Sequence, residues 1–110
     1  MCGFLVVENG QKEEAERKPI EDIAKKLTHR GPDAYQSSES ILDISMFFSR
    51  LAIVDLNPNA NQPFVDSQGR LHLVCNGEIY NEPSLRPSIQ YPFSSKSDCE
   101  VILPLYREHG

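Results

Sequence analysis

The chain begins Met-Cys-Gly-Phe, which places a thiol one residue from its first amino acid. Chain ends are commonly frayed and solvent-exposed, a poor location for a cysteine that only packs. Removal of Met1 would leave Cys2 with a free α-amino group beside its own thiol. Such an amine has an ordinary pKa of about 7.7–8.0 and exchanges a proton near neutral pH. A nucleophile served by its own N-terminal amine is a known catalytic arrangement and requires no histidine. Gly3 removes bulk beside the sulfur. Small residues are also common after an initiator methionine, so these four residues alone leave the plain reading open.

Any such chemistry needs elements to hold it. The apolar run 3–7 (GFLVV) reads as a strand that anchors the terminus, followed by a turn at Asn9-Gly10. The polar stretch EEAERK reads as a loop. Pro19 suits the first turn of a helix, and Ile20, Ile23, Ala24 and Leu27 fall at i, i+3, i+4 and i+7 on one apolar face. Residues 40–56 are β-rich: Leu42, Ile44 and Met46 alternate with polar residues, and Leu51, Ile53 and Leu56 form a second segment after a bend. Residues 57–63 have loop chemistry, and 70–75 (RLHLVC) read as another strand, broken by Asn76-Gly77. Pro83 and Pro87 leave room for one helical turn. Ser97 and Glu100 have the spacing of a capping box before a last helix that Pro104 should kink or shorten. The order β-α-β-β-β-α predicts an α+β fold with a mostly antiparallel sheet.

The chain has 110 residues, enough for one small domain, and 39% of them are hydrophobic. Its net charge of −5, with both signs scattered, offers no basic stripe for nucleic acid. No apolar stretch approaches the roughly 20 residues of a membrane helix, and no secretory signal pattern is present. Cys2, Cys75 and Cys99 are odd in number and widely spaced, which argues against a zinc site or a disulfide framework and for a cytoplasmic protein with free thiols. His29, His72 and His109 form no visible catalytic group.

Five segments, MCGF, RGPDA (30–34), SRLAIVDL (49–56), CNGEIYN (75–81) and SKSDCEVIL (95–103), occur in one order. Together they resemble the class II glutamine amidotransferase domain of the asparagine synthetase family, an N-terminal-nucleophile hydrolase, over nearly the whole chain. The resemblance implies an αββα sandwich, here incomplete, with residues 1–110 forming a partial glutaminase domain. The synthetase domain, which would use ATP and magnesium, is absent from these residues, so no cofactor is expected in this chain.

The resemblance also implies roles. Cys2 would attack the side-chain amide of glutamine, release ammonia and leave a thioester for water to hydrolyse. Asn76 and Gly77 would donate to the oxyanion. Arg50 would clamp the substrate carboxylate with two parallel hydrogen bonds, and Asp98, assisted by Glu78, would pair with its ammonium. Ile53 would line the substrate wall through its backbone, while Arg30 and Asp33 would shape their loop. Each position has a plainer alternative: Asn76-Gly77 is an ordinary turn, Arg50 a solvated strand-edge arginine, Asp98 a helix-start carboxylate. Phe48 stands where the family commonly has histidine, and Gln36 where it commonly has glycine. The ammonia would serve an amide-forming partner. The chain itself is expected to pair with a second copy in a homodimer or with a synthetase partner. The opposing expectation is a catalytically inactive fragment or a binding module of the same family.

Overall fold

A computed structural model describes residues 2–8, 14–39, 43–53 and 55–110. Met1, the Asn9-Gly10 turn and Leu42 lie outside the described residues.

Strand β1 (Gly3–Glu8), helix α1 (Glu14–Lys25) with a 3₁₀ turn at Lys26–His29, β2 (Ala34–Glu39) and β3 (Ile44–Arg50) form the first half. The sheet order is β1-β3-β2, antiparallel throughout. Because β3 is central, five of its last six residues are buried: Ser45, Phe47, Phe48, Ser49 and Arg50. Alternation divides them between two faces. Leu5, Phe47 and Tyr35 lie on the face under the helix, where the Phe47 and Tyr35 rings stack at 6.4 Å. Phe4, Val6, Met46 and Phe48 lie on the other.

The second half begins with a 3₁₀ turn at Pro58–Ala60, capped by the Asn57 side chain on the Asn59 N–H at 2.9 Å. The hairpin of β4 (Phe64–Val65) and β5 (His72–Leu73) follows. Then come α2 (Glu82–Leu85), a 3₁₀ turn at Arg86–Ser88, another at Asp98–Val101, and α3 (Ile102–His109). Phe64, Cys99 and Leu103 form its core, with Leu71, Leu73, Cys75 and Tyr91 packed around them. Arg86 ties the 93–97 loop down: it pairs with Glu82, donates to the Ser95 and Ser97 carbonyls at 3.0 and 2.7 Å, and lies 4.2 Å above the Phe93 ring. Mixed helices and antiparallel strands make the chain α+β.

Several elements differ from the sequence expectation. EEAERK is largely helical, and Pro19 lies inside α1 rather than in its first turn. Of the apolar helix face only Ala24 is fully buried, and Ile23 is 56% exposed. Residues 34–39 form a strand without an apolar alternation, because as an edge strand β2 is held by pairing with β3. Residues 51–53, 55 and 56 form none. The 70–75 strand shortens to two residues. Glu100 does not close a capping box on Ser97; its carboxylate accepts from the N–H and hydroxyl groups of Ser94 and Ser95. Pro104 is buried in the first turn of α3. It has no N–H to reach Glu100, so the chain before it winds as a 3₁₀ turn. No helix among the described residues is long and apolar enough to cross a membrane.

Candidate active site

Register brings the first residues to the site. Gly3 pairs with Ser49, so the chain before β1 runs toward the residues that follow β3. There the Leu51 N–H donates to Cys2 Sγ at 3.3 Å, and Sγ lies 3.7 Å from the Leu51 carbonyl oxygen. The sulfur thus meets both the N–H and the carbonyl of one residue.

The RGPD loop braces the two peptide groups flanking Leu51. A side chain on Gly31 would place its Cβ 2.4 Å from the Ser49 carbonyl oxygen, so only glycine lets the loop pack on β3. The Asp33 N–H donates to the Arg50 carbonyl at 3.0 Å, and the Asp33 carboxylate accepts from the Ala52 N–H at 2.7 Å. Neither Arg30 nor Asp33 lines the cleft.

Cys2 opens on a cleft of about 550 Å³ where the two halves of the chain meet. Phe48 forms part of its wall from the sheet, and Cys75 and Cys99 from the second core. Arg50, Ile53, Asn76, Gly77, Glu78 and Asp98 line it as well, so all seven residues singled out from the sequence share one cavity. Arg50 is only 8% exposed. Its Nη1 donates to the Asn57 carbonyl at 3.1 Å and to Asn61 Oδ1 at 2.7 Å, which fixes the guanidinium plane. Asp98 Oδ2 accepts from the Ile79 N–H at 2.5 Å, tying the CNGEIYN segment to the turn before α3. The Ile53 side chain is 74% exposed.

Two residues that sequence reasoning did not single out complete the frame. The Gln62 amide pairs with Cys75 as a neighbouring strand would, accepting from its N–H at 2.6 Å and donating to its carbonyl at 3.1 Å. Asp55 joins two loops, accepting from the Asn57 and Lys96 N–H groups, each at 2.9 Å. Those donors, Asn57 first, hold its carboxyl below the usual carboxylate range. Asp55 two residues before Asn57 is a readable turn signal. Nothing local points to Lys96.

Residues 1–110 match the family model of a glutamine amidotransferase domain. The chain is 45% identical, over its whole length, to the probable asparagine synthetase [glutamine-hydrolyzing] of Schizosaccharomyces pombe, of which it covers 20%. It is 39% identical, again over its whole length, to asparagine synthetase [glutamine-hydrolyzing] 3 of Arabidopsis thaliana, of which it covers 19%. To amidase chyE of Penicillium rubens it is 40% identical over 74% of its length, covering 12% of that protein. The chain therefore spans about a fifth of the length of the asparagine synthetases it resembles.

Proposed function

The chain belongs to the glutamine amidotransferase domain family, and from that premise we propose that it hydrolyses the side-chain amide of glutamine and supplies the ammonia to amide synthesis. What supports this reading most is one cleft lined by a thiol, a buried guanidinium, an aspartate and an Asn-Gly pair.

With Met1 removed, the Cys2 amine takes the thiol proton and Sγ attacks the amide carbon of glutamine. The oxyanion accepts from the Asn76 side-chain NH₂ and the Gly77 N–H. The amine passes its proton to the leaving nitrogen, ammonia departs, and a thioester remains. Water, deprotonated by the same amine, attacks the thioester and frees glutamate and the thiol. The Leu51 N–H and carbonyl direct the sulfur during both steps.

Glutamine is held at its α-carbon end. Since Nη1 of Arg50 is engaged by Asn57 and Asn61, the substrate carboxylate meets Nε and Nη2, an edge that still offers two parallel bonds. Asp98 keeps Oδ1 for the ammonium, because Oδ2 holds Ile79. Glu78 adds negative charge at the cleft mouth, and the Ile53 backbone forms a wall. The fold that fits this chemistry is the αββα sandwich of the N-terminal-nucleophile hydrolases. ATP and magnesium are the synthetase domain's requirements, outside residues 1–110. A sample shown by mass spectrometry to lack Met1 should release ammonia from glutamine, and Cys2→Ala should abolish it. Release unchanged by Cys2→Ala would overturn the mechanism.

A further inference from the structure

Two thiols outside the proposed chemistry touch at the edge of the cleft. Cys99 Sγ donates to Cys75 Sγ at 3.2 Å and also lies 3.7 Å from the Gly77 carbonyl oxygen. Cys99 is 3% exposed, whereas Cys75 is only partly buried. Burial, then the contact with Cys75, raises the Cys99 thiol well above the ordinary range. Cys99 is therefore the enclosed partner, and the more open Cys75 is the one an oxidant reaches.

We propose that Cys75 and Cys99 form an oxidisable dithiol, converted by a small-molecule disulfide of the glutathione class into an intramolecular disulfide that lowers glutamine hydrolysis. The Cys75 thiolate attacks one sulfur of the reagent, forming a mixed disulfide and expelling one thiolate. Cys99 gives up its proton, to water or the expelled thiolate, and attacks Cys75 Sγ. The Cys75–Cys99 bond forms as the second reagent thiol leaves. The protein loses two electrons and two protons, and the reagent gains them as two thiols.

The functional consequence rests on the glutaminase reading above. A disulfide brings the sulfurs to about 2.05 Å, roughly an ångström closer than the thiols stand. Cys75 is clamped at both its N–H and its carbonyl by Gln62, so the strain passes to the next residues, Asn76 and Gly77. On the other side lies Asp98. A displacement of about 1 Å in positioning groups can cost on the order of 100-fold in rate.

The test separates the bond from its effect. The 110-residue chain, treated with oxidised glutathione and then alkylated, should lose two thiols, and peptide mapping should join residues 75 and 99. Cys2 should remain alkylated. Ammonia release should fall at least tenfold and return with dithiothreitol. In Cys75→Ser and Cys99→Ala, the ratio of oxidised to reduced activity should stay near one. Absence of a 75–99 linkage overturns the proposal even if the chain hydrolyses glutamine. Equal inhibition of Cys75→Ser would assign the loss to Cys2 and overturn it too. A 75–99 linkage in a chain with no glutaminase activity would uphold the dithiol and refute the proposed function instead.

Discussion

At the scale of single residues, the geometry around Cys2 and Arg50 carries two expectations. Arg50→Lys keeps the charge but replaces a flat fork with a point donor. It also loses one of the bonds to Asn57 and Asn61. We expect KM for glutamine to rise by an amount equivalent to about 1–3 kcal/mol, with kcat changed less. Asp98→Asn removes the charge that meets the ammonium and should act in the same direction. Unchanged KM in both variants would show that glutamine lies otherwise in the cleft. The base is the second expectation. An α-amine with pKa of about 7.7–8.0 predicts hydrolysis that rises through that range and then levels. A flat profile from pH 6 to 9 would exclude the amine as base.

Elements hold these residues through a few side chains that imitate backbone. Close backbone packing also holds them, tightest among the described glycines at Gly31, where an added Cβ meets main chain rather than a yielding side-chain tip. Gly31→Ala should therefore destabilise the domain by about 1–3 kcal/mol and loosen Ala52, measurable as a lowered Tm. A Tm equal to that of the parent would mean that the loop packs elsewhere. The β4–β5 hairpin depends on Asp66, whose carboxylate accepts from the Leu71 and Arg70 N–H groups at 2.9 and 2.7 Å. The Leu71 bond comes first in holding this carboxyl below its ordinary value. Its stabilisation is complete above the ordinary aspartate pKa of about 3.9 and is lost as pH falls through the lowered folded value. Asp66→Asn should flatten that part of the acid-unfolding curve, followed by circular dichroism. An unaltered acid limb would assign the pH dependence to other carboxylates.

The whole molecule is extended, with principal dimensions of 45 × 28 × 18 Å and a radius of gyration of 14.5 Å. A compact chain of this length would have about 13 Å. It exposes 7235 Å², against roughly 6,100 Å² for a compact monomer of its size. Part of that surface is the sheet face away from α1, where Phe4 and Val6 are each 44% exposed, as is Val65 on β4. Apolar side chains on an edge strand favour self-association. We expect the 110-residue chain to sediment as a two-fold dimer at micromolar concentration, one sheet covering the other, and Phe4→Glu with Val6→Thr to shift it to monomer. A compact, cooperatively melting monomer of the parent chain would refute this.

The sequence by itself determined the residue types of the cleft and their order. Cys2, Arg50, Ile53, Asn76, Gly77, Glu78 and Asp98 were singled out through the resemblance of five short segments, since each position read alone has a plainer meaning, and all seven line the cleft. The mixed fold class and the first strand were legible too, since apolar runs and glycines act over a few residues. The strand at 34–39 was not, because its residues carry no apolar alternation and its stability comes from pairing with β3. Helix at 14–18 was hidden by the lack of an apolar periodicity and by Pro19, although Glu14 to Lys18 are all good helix formers. Only the tertiary structure decided that Leu51 faces Cys2, that Asp55 holds Lys96, that Gln62 clamps Cys75, and that Cys75 touches Cys99. Those contacts span 13 to 49 residues of chain. They follow from strand register and from packing between two cores, which are properties of the assembled chain rather than of any one segment.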